Sequence, residues 1–252
     1  NAPPPTCGDT LQIAGAELGD FVSRSAGVAT DQAFTGTRDS AGFELADVDR
    51  LRQLPRLAES RCELEAVAAS LKPDGGTLLL GPEASEASIK ALDRNGELAG
   101  YRTIQFATHG LVSGDLGYGE PGLVLTPPGT ASSEDDGVLS ASEIATLTLD
   151  ADWVILSACN TAAGSQNGAE ALTGLARAFF YAGARSLVVS SWPVYSQAAV
   201  EITTGAFRAM QENPAINRAE ALTIAIGKEL DKATTEQTAD PAYWAPFFLV
   251  GA

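Results

Sequence analysis

The sequence predicts an α/β fold, a three-layer α/β/α sandwich around a mostly parallel central sheet. Three observations carry this. Short apolar runs of strand length alternate with helical stretches from about Leu54 onward, the pattern of a parallel sheet buried between helices. The 252 residues are 45% hydrophobic, enough to bury a sizeable core. Two of the apolar runs stop abruptly at reactive residues, Tyr101 through His109-Gly110 and Trp153 through Cys159-Asn160-Thr161. In open α/β sheets, reactive groups gather at strand carboxyl ends.

Residues 1 to about 50 read differently from the remainder. Three prolines, Pro3 to Pro5, and a Gly/Ser/Thr/Asp-rich stretch from Ser25 to Gly42 enclose one apolar segment, Leu11 to Val22, whose pattern leaves strand and helix both open. The chain therefore divides into a partly irregular N-terminal segment, 1–50, and a domain, 51–252. Arg61 to Leu71 has helical spacing, Thr77 to Leu80 reads as a short buried strand, and Ser85 to Leu92 is helical before the strand that ends at His109. Leu123 to Thr126 reads as a strand and Pro127 to Gly137 as an exposed polar loop. Ser140-Ala-Ser-Glu143 matches a capping box that starts a helix running to Leu147.

After the strand that ends near Cys159, a loop through Gly164 and Gly168 leads to an apolar helix from Glu170 to Tyr181, closed by Gly183 as its C-cap. Arg185 to Ser191 is a buried strand stopped by Trp192-Pro193. Helices from Gln197 to Gln211 and Pro214 to Leu230 follow, and Pro246 to Val250 is the last strand.

Charge and composition exclude several function classes. With 32 acidic against 16 basic residues the formal net charge is -16, which disfavours a grip on nucleic-acid phosphates and on anionic membranes. The same acidity favours solubility and the steering of basic peptides. No apolar run approaches the ~20 residues needed to cross a bilayer. Cys7, Cys62 and Cys159 are an odd set without paired spacing, so neither a disulfide framework nor a zinc site is indicated, and three free thiols point to a reducing, cytoplasmic setting. The chain opens at Asn1-Ala2 and not at Met, which reads as a cloning scar or an internal start. Nothing visible requires a metal or other cofactor.

The lone histidine and Cys159 are the strongest candidates for chemistry. His109 lies 50 residues before Cys159, the order and approximate distance of the caspase histidine and its Ala-Cys pair. A structural reading of each is available, an imidazole bonded to backbone and a small buried thiol. Their joint placement, each just past a buried strand, favours a base and nucleophile pair. Gly117-Tyr-Gly-Glu-Pro-Gly122 is a literal G-x-G-x-x-G, yet it leads into a strand and not a helix, so the dinucleotide reading fails.

Four strings together carry a family resemblance: Phe106-Ala-Thr-His-Gly-Leu111, Leu156-Ser-Ala-Cys-Asn-Thr161, the passage from Gly174 to Ser186, and Tyr243-Trp-Ala-Pro-Phe247. From about Leu54 to Ala252 the chain resembles a CHAT domain, a bacterial caspase-like family related to caspases and separases that often follows tetratricopeptide repeats. The resemblance implies a cysteine peptidase acting on protein or peptide substrates. His109 would be the base and Cys159 the nucleophile, with the backbone N–H groups of Gly110 and Cys159 as the oxyanion hole. It also implies an effector domain within a larger protein, with upstream repeats as a partner.

Five residues are candidates for substrate contact. Ser157 stands two before the cysteine, where metacaspase-like relatives can carry an acid for a basic P1 residue. Ser191 and Trp192 precede a Pro-Val word typical of the family, and Asp115 and Glu170 are acids near the two catalytic loops. Many relatives place acidic residues after the Trp-Pro-Val word, where this chain has Tyr195-Ser196-Gln197. That departure leaves open a second reading, an interaction or scaffold domain that keeps the fold without turnover.

Overall fold

The computed structural model describes residues 37–38, 44–57, 59–71, 76–113, 119–157, 168–190, 195–234 and 239–251. In chain order the elements are β1 (Thr37–Arg38), β2 (Glu44–Leu45), α1 (Val48–Leu51), α2 (Ser60–Leu71), α3 (Glu86–Arg94), β3 (Thr103–Phe106), β4 (Gly110–Leu111) and β5 (Gly122–Val124). They continue with β6 (Val138–Ser140), α4 (Ala141–Ile144), β7 (Trp153–Leu156), α5 (Gly168–Ala182), β8 (Ser186–Ser190), α6 (Ser196–Glu212), α7 (Arg218–Asp231), α8 (Pro241–Trp244) and β9 (Phe247–Gly251). The fold is α/β with a mostly parallel principal sheet, as the alternation of strands and helices predicts. The described residues form two compact units.

The larger unit spans 30–56, 79–192 and 250–252 and holds the sheet. β7 is an inner strand of that sheet, parallel to β3 on one side (Thr103↔Trp153 to Phe106↔Leu156) and to β8 on the other (Val154↔Leu187, Ile155↔Val188). A strand flanked on both sides needs apolar residues on both of its faces, and Val154, Ile155, Leu156, Leu187, Val188 and Val189 are all buried. Helix α5 covers one face: Phe179, 1% exposed, meets Phe106 at 5.9 Å between ring centroids. Gly183 ends that helix at φ +110°, and a Cβ there would lie 2.1 Å from the Leu149 carbonyl oxygen, so the position requires glycine. At the amino ends of the strands, Arg102 and Arg185 each pair with Asp150 and Asp152. Arg185 chiefly holds the Asp150 carboxyl below its ordinary range.

A second sheet in this unit is antiparallel, β4 pairing with β5 and β5 with β6; of its strands the sequence predicts β5 alone, as Leu123 to Thr126. Its strands are two or three residues long, too short to show a period. Gly122 of β5 accounts for the last glycine of the false dinucleotide motif. A Cβ there would lie 2.7 Å from Val138 Cγ1, so the glycine leaves room for the Val138 side chain of the neighbouring strand.

The described residues of the smaller unit are 57, 59–71, 76–78, 195–234 and 239–249. Helices α2 and α7 pack on α6, with Gly205 letting Ala225 Cβ come to within 3.2 Å of where its own Cβ would stand. Tyr195 and Tyr243 stack at 5.3 Å between centroids. Helix α7 begins at Arg218, four residues later than Pro214, because Asn217 and Glu220 form a reciprocal capping box there.

Three expectations are corrected. Thr77 to Leu80 belongs to no sheet among the described residues; Leu78 is exposed and the next two leucines are only half-buried, so the apolar run marks neither pairing nor core. The Pro127–Gly137 loop is exposed only in part. Its end turns inward, leaving Asp136 6% exposed. Cys62, buried on α2, is disulfide-bonded, so the chain does not hold three free thiols. Spacing along the chain does not reveal such a bond, since folding alone brings two Cα atoms to bonding distance. Cys7, Cys159 and the undecided Leu11–Val22 segment lie outside the described residues. Among the described residues no helix is long and apolar enough to cross a membrane.

Candidate active site

The candidate residues follow the carboxyl ends of β3 and β7. Phe106 and Leu156 are register partners in the parallel ladder, so the two chains leave the sheet side by side. His109 lies three residues past Phe106, and Cys159 lies three residues past Leu156. Ser157 continues the ladder, donating its backbone N–H to the Phe106 carbonyl at 3.0 Å. Its hydroxyl accepts from the Gln105 side-chain amide at 3.2 Å, and the residue is 9% exposed. Ser157 is therefore tied into the sheet end and carries no charge.

His109 is partly buried and held from two directions. Its backbone carbonyl accepts from Val124 N–H at 2.8 Å, which ties it to β5. Its ring Nε2 lies 2.7 Å from the carbonyl oxygen of Pro55. A carbonyl only accepts, so Nε2 carries the hydrogen, and in the neutral ring Nδ1 is the free lone pair. Thr108 turns the other way, its hydroxyl donating to the Val124 carbonyl. Gly110 follows in β4, opposite Leu123.

Pro55 reaches the histidine on a short structured segment. Asp47 caps α1 by accepting from Asp49 and Arg50 N–H at 3.1 Å each, and backbone bonds continue through Leu54 N–H to the Leu51 carbonyl at 3.2 Å. Leu51 and Ala46 pack with Leu111, Val124 and Val138, and Leu54 joins them. Sequence reasoning missed this partner because the interacting group is a backbone carbonyl, which no side-chain motif announces.

The buried Glu86 and the half-buried Lys90 and Glu143 form a cluster of titratable groups. Lys90 Nζ pairs with Glu86 Oε1 at 2.5 Å and with Glu143 Oε1 at 2.8 Å. Burial pushes Glu86 up to about 8, against the pull of Lys90, whereas Lys90 and the Ser140 backbone hold Glu143 low despite its own burial. Asp136 is also raised by burial. Among the described residues, no group of three or more His, Cys, Asp or Glu side chains is placed to hold a metal ion.

Of the other sequence candidates, Asp115, Cys159, Ser191 and Trp192 lie outside the described residues, as does the side chain of Glu170, whose backbone is in α5. In the smaller unit, Tyr195 is buried at the start of α6 and the Gln197 amide donates to Glu201 Oε1 at 2.8 Å.

Compared with known families, residues 14–252 match the sequence profile described as the CHAT domain. The match begins well upstream of Leu54 and so includes Pro55 and the segment that carries it. No curated protein matches the chain.

Proposed function

The chain belongs to the CHAT domain family, which is caspase-like, and from that premise we propose that it is a cysteine endopeptidase working through His109 and Cys159. The observation that carries this reading is the bond between His109 Nε2 and the Pro55 carbonyl. A histidine whose Nε2–H is engaged presents Nδ1 as a base, and a base is what a thiol nucleophile requires. The paired ends of β3 and β7 support the choice of Cys159 as its partner.

In this mechanism Nδ1 takes the thiol proton of Cys159, and the thiolate attacks the carbonyl carbon of the scissile peptide bond. The resulting oxyanion is met by the backbone N–H groups of Gly110 and Cys159. One such donor contributes ~2.7 to 4 kcal/mol to lowering a barrier. The imidazolium then gives its proton to the leaving amine as the C–N bond breaks, leaving a thioester on Cys159. Water attacks that thioester, His109 takes its proton, and a carboxylate product departs as the thiol reforms. Throughout, the Pro55 carbonyl keeps Nε2 occupied, so the proton traffic runs through Nδ1 alone.

The substrate is a protein or peptide chain, and the acidic surface of the chain favours basic ones by steering. The test is hydrolysis of an unfolded protein by the wild type, Cys159→Ala and His109→Ala. Both variants are expected to lose at least ~10²-fold in kcat. Wild-type turnover in either variant, or none in the wild type, contradicts the proposal.

A further inference from the structure

We infer that Asp136 is a positioning residue for His109, acting through the segment Ala46–Pro55. The inference rests on the peptidase reading only in its consequence for turnover; the geometry is independent of it. Asp136, 6% exposed, uses both carboxylate oxygens on backbone donors: Oδ2 accepts from Ala46 N–H at 2.8 Å and Oδ1 from Val138 N–H at 2.9 Å. The first bond crosses 90 residues of sequence and fixes the start of the segment whose end meets the histidine.

Between those two points the segment is a continuous short lever. The Asp47 cap, the single turn of α1, and the bonds of Arg52, Gln53 and Leu54 N–H to carbonyls in that turn leave no unstructured link before Pro55. The Arg52 guanidinium fastens the middle of the lever to the carbonyls of Pro128 and Gly129. Asp136 is itself held from behind, its backbone N–H and that of Gly137 donating to Glu86 Oε2 at 2.9 and 3.2 Å. Val138, bonded to Asp136, lies beside Val124, whose N–H holds the His109 carbonyl. The same carboxylate therefore braces the backbone of His109 on one side and the ring partner on the other.

The substitution Asp136→Asn discriminates sharply. An amide presents one acceptor oxygen and one NH2 donor, so one of the two backbone N–H groups would face a donor in a buried site. A shift of about 1 Å at a positioning group costs up to ~10²-fold in rate, and a partial shift through the lever is expected to cost about tenfold in kcat with KM changed less than about twofold.

The decisive readout is nuclear magnetic resonance of the single histidine, since one residue gives one set of imidazole signals. In the wild type the Nε2–H proton is expected to be visible and slow to exchange. In Asp136→Asn it is expected to broaden or vanish and the ring to populate the Nδ1–H tautomer. A folded Asp136→Asn protein with unchanged imidazole signals and kcat would overturn the inference. Should that variant not fold, Arg52→Met at the half-exposed middle of the lever decides: the same displacement of the signals supports the inference, and unchanged signals overturn it. A wild type without turnover but with the tautomer shift in the variant would sink the peptidase reading and leave the positioning role standing.

Discussion

His109 donates its Nε2 proton to the carbonyl oxygen of Pro55, 2.7 Å away and 54 residues earlier in the chain. A backbone carbonyl cannot be protonated at working pH and cannot leave its place without moving the segment that carries it. It therefore fixes the tautomer without adding a charge, unlike a carboxylate partner. The bond lies within the larger unit, which takes in both Pro55 and the strand ends.

The disulfide at Cys62 bears directly on the nucleophile. With three cysteines in the chain, one intrachain bond leaves a single thiol, and a competent enzyme needs that thiol at Cys159. Denatured, unreduced protein is expected to titrate one thiol, and alkylation followed by peptide mapping to place it on Cys159. Alkylation at Cys7, with Cys159 in the bond, would contradict a resident nucleophile.

Glu86 gives a pH signature to stability. Burial raises it to about 8 from an ordinary 4.5, so between those values the folded protein keeps a proton that the unfolded chain releases. Stability from this group is complete below about 4.5 and falls as pH rises toward 8, with a slope of up to about 1.4 kcal/mol per pH unit. Glu86→Gln mimics the protonated acid and is expected to flatten that slope. Urea unfolding of both proteins at pH 5 and pH 8 checks it, and equal slopes would refute the assignment.

Gly183 tests the end of α5. Its φ is +110°, and a Cβ added there would stand only 2.1 Å from the Leu149 carbonyl oxygen, so Gly183→Ala must move backbone. A loss of about 2 kcal/mol or more is expected in thermal or urea unfolding. A variant as stable as the parent would show that the turn relaxes freely.

Most of the principal fold was legible because its signals are long or chemical. β3, β7 and β8 announce themselves as apolar runs, α4 by the Ser140–Glu143 capping box, and α5 by its apolar stripe and Gly183. Of the short antiparallel strands, β5 was legible as the Leu123–Thr126 run, whereas β4 and β6 carry too few residues for periodicity. The Thr77–Leu80 run misled because three successive leucines specify neither a partner nor burial. At the site, His109 stood out as the only imidazole, whereas Pro55 and Asp136 did not: one acts through a carbonyl and the other sits in a loop whose composition reads as solvated. Cys62 shows the same limit, because its bond depends on proximity created by folding.

The most direct measurement is intact-mass labelling of the wild type and Cys159→Ala with peptide acyloxymethyl ketones carrying Arg, Lys, Asp or Leu at P1. One adduct per chain, absent from Cys159→Ala and much slowed in His109→Ala, is expected of a thiolate activated by the histidine. No adduct with any probe, or an adduct that persists without Cys159, would contradict a His109 and Cys159 peptidase.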